Sequence, residues 1–259
     1  CHLNYLKSSS GALERARSCS VDGVLCIGVD EVGIDEVLAV ANANDDVWAS
    51  VGLHPQSAEQ DFGWIETKLS ASSVVAVGET GLDYKTALDV DERQRQLAAF
   101  EHQMCLAQKY GLPVVIHTRD AERDTLSILK RYPNVVGVLH CFTESWEMAE
   151  QALSMGYYIS ISGIVTFANA ENVREVARQV PVDRLLIETD APWLAPVPYR
   201  GKENEVNFIN YLERGKLKAN FANYYVSNTF WLDPNQDQIE LLKIEAKAGW
   251  AKNFKREAK

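Results

Sequence analysis

Seven short runs of Val, Ile, Leu and small residues punctuate the chain, at 23–29, 47–53, 74–78, 112–116, 135–139, 157–162 and 185–187. They are apolar throughout rather than alternating, which suits strands buried on both faces, as in a parallel sheet. Helical patterns lie between them. Over 92–110, Leu97, Phe100, Met104 and Ala107 share one face, Gly111 is placed to cap the end and Pro113 prevents continuation. Asp120 is expected to N-cap the next helix, which stops at Tyr132-Pro133. A third helix is expected over 145–155 before Gly156, and a fourth over 169–180, closed by Pro181. This alternation is the signature of βαβ units and predicts an α/β fold, a TIM-type (β/α)8 barrel. An eight-stranded barrel needs one more strand. Its place is before Cys1, so the first strand is apparently truncated.

A length of 259 residues suits one barrel domain or two small domains, and 46% hydrophobic residues allow a large core. The net charge of −10 argues against a protein that coats long nucleic acid, which needs a basic face. It leaves room for an enzyme that grips one strand end through metal ions. The five cysteines are scattered, with no CxxC pair, so free thiols in a reducing cytoplasm are expected. Neither a leader nor a long uncharged apolar run is seen, so no membrane association is expected. Nothing points to an obligatory protein partner.

Four of the apolar runs lead into potential metal ligands. Glu79 follows the third, His117 the fourth, His140 the fifth, and Glu188 and Asp190 the seventh. The C-terminal ends of barrel strands converge on one mouth, so residues far apart in sequence would meet there. Imidazole and carboxylate together suit Zn²⁺, and Mn²⁺ or Mg²⁺ where oxygen dominates. A lone histidine at a strand end is ordinarily a hydrogen-bonded structural residue. Four such ends in one chain point to a metal site.

Several motifs resemble the TatD family of metal-dependent hydrolases. They are VGLHP at 51–55, VGETGLDY at 77–84, VIHTRDA at 115–121, VLHCFTE at 138–144, ISISGIVTF at 159–167, LIETDAP at 186–192 and LAPVPYRGKEN at 194–204. The resemblance covers residues 1–205 in the right order. It implies a barrel of the amidohydrolase-like superfamily and a metal-dependent deoxyribonuclease or phosphodiesterase, with DNA, single-stranded or at strand ends, as substrate. It implies two divalent ions (Mg, Mn or Zn), bridged by Glu79. His117 and His140 would complete one site, and His2 and Asp190 the other. Asp190 would also orient or deprotonate the attacking water. Arg119 and His54 would contact the scissile phosphate. Glu188, two residues before Asp190, is expected to hold a metal-bound histidine from behind. Asp83 and Tyr84 are open between shaping a loop and facing substrate.

The chain departs from that family in two places. The family's first strand ends in His-x-His, and here only Cys1-His2 remains. The segment 206–259 diverges; helical spacing of Ile239, Leu242, Ala246 and Trp250 predicts a packing helix over 236–254. Two rival readings stand beside the nuclease. One is a hydrolase of an ester or amide bond, such as an aminoacyl-tRNA ester, on the same metals. The other is a catalytically impaired metal-binding homologue.

Overall fold

The structure, a computed structural model, describes residues 1–214 except Ser8, Gln60 and Leu88. The helix expected over 236–254 lies outside the described residues. Among the described residues there are seven strands: β1 Val24–Ile27, β2 Val47–Val51, β3 Val74–Asp83, β4 Val114–Arg119, β5 Gly137–Leu139, β6 Tyr158–Ile161 and β7 Leu185–Ile187. Helix α1 (Ser9–Ser18) precedes β1. Helices α2 (Ile34–Ala43), α3 (Trp64–Lys68), α4 (Val90–Tyr110), α5 (Glu122–Arg131), α6 (Trp146–Ser154), α7 (Glu171–Gln179) and α8 (Ile209–Arg214) follow the seven strands in turn. All seven strands are parallel, each paired with the next in sequence order. This is the curled sheet of a TIM-type barrel, as the run pattern predicts.

Residues 1 and 2 lie between β1 and the chain that follows β7. The Cys1 amino group donates to Leu25 O at 3.1 Å, and Ile27 N donates to Cys1 O at 3.0 Å. That alternation about Cys26 is the parallel-ladder pattern. On the other side, His2 N donates to Ala191 O at 2.7 Å.

The continuous apolar runs divide between two layers because successive side chains point to opposite faces of a strand. Leu25, Ile27, Ala76, Val115 and Val138 form one cluster, against which Trp48, Tyr158 and Leu186 pack. Their neighbours Cys26, Ala49, Val77, Val114, Leu139, Ile159 and Ile187 belong to the larger core under the helices. The smaller cluster is the barrel interior, and it sets the face on which the mouth residues emerge.

Three helix ends follow the sequence closely. Asp89 caps α4 by accepting from Glu92 N, Gly111 ends it at φ +65°, and Ser145 caps α6 by accepting from Met148 N. The expected cap at Asp120 is not formed. Ala121 holds that position, and Asp120 sits at φ +53° with its N–H donated to Glu144 Oε1 at 2.9 Å. The turn leaving β4 needs a left-handed residue, which aspartate tolerates, and this turns Asp120 away from the helix.

Candidate metal centre

Strand alternation accounts for most of the site. Val115 faces the barrel interior, so His117 and Arg119, two and four residues on, emerge on the same face at the mouth. Val138 leads to His140, and Leu186 to Glu188, by the same step of two. Glu79 breaks the rule. Val77 belongs to the outer layer, so simple alternation would send Glu79 outward too. The β3–β4 register slips between Val77 and Thr80, with Val77 opposite Val114 and Thr80 opposite Ile116. One extra residue in β3 re-aims the side chain, as bulges do beside functional sites. Glu79 is consequently buried at the centre of the mouth.

Four imidazoles surround that carboxylate. Oε1 lies 2.8 Å from His140 Nε2, 3.2 Å from His117 Nδ1 and 3.4 Å from His54 Nε2. Oε2 faces the other way, 3.8 Å from His2 Nε2. That same His2 nitrogen is 3.5 Å from Asp190 Oδ1. Six of the eight residues singled out from the sequence (His2, His54, Glu79, His117, His140 and Asp190) therefore meet at one point. Glu188 stands behind His140, with Oε1 3.0 Å from Nδ1, and accepts a second hydrogen bond from Ser160 Oγ at 2.8 Å. Arg119 is at the rim, exposed and without an ion pair to any described residue.

Several supporting residues lie outside the donor set expected from the sequence. Asp83 comes within 3.4 Å of His117 Nε2 and accepts hydrogen bonds from Gln56 Nε2 and Thr86 N. Tyr84 turns outward and donates to Asp124, so of that pair only Asp83 reaches the site. Helix α4 presents two buried glutamines among its apolar residues. Gln96 accepts from Asp83 N and donates to Asp83 O, and Gln103 does the same for Leu53. These amides satisfy backbone groups where the strand ladder ends, so the segments bearing Asp83 and His54 are held without a further strand. Their spacing of seven puts both on one helix face; that was the available signal. His102, also on α4, packs against Phe62 away from the mouth. Cys141 lies 3.1 Å from Ser162 Oγ, and burial pushes its thiol well up, so it stays a packing residue.

The charges are strongly coupled. Burial opposes ionisation of Glu79, but His140, His54 and His117 outweigh it and hold the carboxyl well below the usual range. Burial likewise disfavours charge on His140, while Glu79 and Glu188 hold its pKa well above the ordinary 6.5. Asp83, against burial, is lowered to about 2 by His117 and Gln56. Asp190 is lowered by His2 and His140 against the cost of its own burial.

The residues present fit divalent cations. Imidazole nitrogens of His2, His117 and His140 and carboxylate oxygens of Glu79 and Asp190 converge at the mouth, a nitrogen and oxygen donor set of the kind such ions take. Among the described residues, His54, Glu79 and His117 offer ligand atoms all within 4.8 Å of one another. His54 differs from the others in one respect: its Nδ1 accepts from Gln56 N at 3.2 Å. The neutral ring then carries its proton on Nε2, the nitrogen facing Glu79, and acts there as a donor rather than a ligand.

Residues 1–214 match the family described as TatD related DNase. The chain belongs to the TatD family. Among its TatD relatives, the uncharacterized metal-dependent hydrolase YcfH of Escherichia coli (strain K12) is 42% identical over 215 residues, 79% of this chain and 80% of that protein. The 3′-5′ ssDNA/RNA exonuclease TatD of Erwinia tasmaniensis is 34% identical over 220 residues, 80% of this chain and 84% of that protein. The solved structure of the TatD homologue YJJV from Escherichia coli K12 superposes with a TM-score of 0.75 at 29% identity, covering 83% of this chain and 87% of that one. As a TatD-family protein, the chain is a metal-dependent hydrolase.

Proposed function

We propose that this TatD-family hydrolase cleaves phosphodiester bonds in DNA, at single strands or strand ends, with two divalent ions held at the mouth of one barrel domain. The observation that carries the reading is the division of the Glu79 carboxylate. One oxygen is turned to His117 and His140, the other to His2, which also meets Asp190. A carboxylate shared in this way suits a bridge between two cations. In this reading His117 and His140 would hold one ion, and His2 and Asp190 the other. Bound cations lower the pKa of an attacking water and offset charge on the leaving oxygen. Asp190 takes the water's proton on the carboxylate oxygen not turned to His2. Arg119 and His54 bind non-bridging phosphate oxygens, Arg119 through its planar fork and His54 through Nε2–H. Glu188 keeps the His140 ring in place through Nδ1–H. The name of the Erwinia relative supports a nucleic-acid substrate. The five cysteines are free, which fits the reducing cytoplasm expected from the sequence.

The test is hydrolysis of a labelled single-stranded DNA oligonucleotide with Mg²⁺ or Mn²⁺, beside an EDTA control, the Glu79→Ala variant and an aminoacyl ester substrate. Cleavage of DNA lost in both controls is the expected result. Cleavage that survives in Glu79→Ala overturns the bridging role. Turnover of the ester alone selects the ester hydrolase, and metal uptake with neither activity selects the impaired homologue.

A further inference from the structure

Two large aromatic side chains stand exposed beside the metal centre. Tyr5 is 45% exposed and Trp193 48%, where side chains of this size ordinarily help to fill a core. Their ring centroids are 5.6 Å apart at an interplanar angle of 50°. That tilt is not a face-to-face stack, and together with the exposure it leaves ring surface open to a third planar group. Both rings also approach His2. Trp193 meets it edge-on at 4.8 Å, and Tyr5 lies 6.2 Å away.

The backbone fixes the pair to the site. Tyr5 N donates to His2 O at 3.0 Å, and Trp193 N donates to Asp190 O at 2.9 Å. Each aromatic residue is thus held one turn after a residue of the proposed His2–Asp190 metal site. His2 N, bonded to Ala191 O, ties the two turns together. The Trp193 carbonyl accepts from Asn204 Nδ2, which is itself in a buried residue. The rings stand on two tethered turns, not on a loose loop.

We propose that Tyr5 and Trp193 form a stacking ledge for a nucleobase of the substrate, placed so that the attached phosphodiester reaches the metals beside His2. The proposal rests on the nuclease reading above and deepens it. Stacking tolerates every base because each has a π face, so the ledge selects unpaired nucleotides over duplex without selecting sequence. Tyr5 and Trp193 are positioning residues in this scheme.

The experiment compares wild type with Trp193→Ala, Tyr5→Ala and Trp193→Phe in the Mn²⁺-loaded full chain. Two substrates are used: an oligothymidylate and an abasic tetrahydrofuran phosphodiester of the same length, which carries the phosphodiester backbone but no planar ring. Anisotropy of a labelled oligothymidylate measures binding separately from cleavage. Either alanine variant should lower kcat/KM on the oligonucleotide about 5- to 150-fold more than on the base-free ester, mostly through KM. Trp193→Phe, which keeps a ring, should recover most of the loss. An equal loss on both substrates would overturn the ledge and leave the rings as mere supports of His2. Oligonucleotide cleavage that is insensitive to both alanine variants would also overturn it, with the nuclease reading intact. Wild-type binding that depends on Trp193 without any cleavage would keep the ledge and remove the nuclease reading. Absence of both binding and cleavage overturns both.

Discussion

Glu188 Oε1 lies 3.0 Å from His140 Nδ1, on the ring edge opposite the one that faces Glu79. His140 is held between two carboxylates, and Ser160 Oγ fixes the outer one at 2.8 Å. With one ring nitrogen committed to Glu188, the other is aimed at the centre of the site. Carboxylates placed behind ligating histidines set the tautomer and raise the ring's basicity. Replacing Glu188 by Gln preserves shape and removes the charge. Mn²⁺ affinity measured by titration calorimetry should fall about 10- to 100-fold, with circular dichroism unchanged. An unaltered affinity would remove Glu188 from this role.

Arg119 stands two residues beyond His117 on β4, exposed and without an ion pair among the described residues. No described residue offers it a salt bridge, so a phosphate is a fitting partner. Arg119→Ala should reduce kcat/KM on single-stranded DNA by about one to two orders of magnitude, the worth of one charge-assisted hydrogen bond. Metal content by atomic emission should stay at the wild-type level. A parallel fall in bound metal contradicts the phosphate role.

Acid and alkali should act oppositely on the metal-free and metal-loaded protein. Burial works against charge on His140, but Glu79 and Glu188 outweigh it and raise its folded pKa well above 6.5. That charged ring stabilises the metal-free fold fully below pH 6.5, and the contribution is lost as pH rises through the folded value. Glu79 is lowered, so its contribution stands above its ordinary 4.5 and is lost only as pH falls through the depressed value. Cation binding needs the neutral ring, so affinity rises over the window in which the charged pair is lost. Scanning calorimetry of EDTA-treated protein should show Tm falling from mildly acidic to mildly alkaline pH. The gain in Tm on adding Mn²⁺ should grow over the same range. A Mn²⁺-induced gain that shrinks as pH rises would count against His140 as a ligand.

Gly81 pairs with His117 across β3 and β4, at φ +131°. A Cβ built there would lie 1.9 Å from His117 O. Gly81→Ala therefore combines backbone strain of about 1–3 kcal/mol with a clash against the strand that bears His117. Both Tm and Mn²⁺ uptake are expected to drop. A fall in Tm with full metal uptake would show that β4 yields without moving His117.

The sequence by itself determined the strands and most of the donor set. Parallel strands buried on both faces leave unbroken apolar runs, so all seven are legible, and their ends announce Glu79, His117, His140, Glu188 and Asp190. The family motifs added His2, His54 and Arg119. Tertiary structure decided what local pattern cannot express. Alternation from Val77 would turn Glu79 away from the mouth, and only the register slip against β4 brings it inward. Asp120 scores as a helix cap, yet the turn beyond β4 requires it at positive φ. The Asp83–His117 contact depends on neighbouring strands, and the glutamine clamps depend on how α4 lies across strand ends. Tyr5 and Trp193 meet because His2 N bonds Ala191 O across the junction of β1 and β7. Periodicity reports which face of an element is buried; it carries no record of which distant element will cover that face.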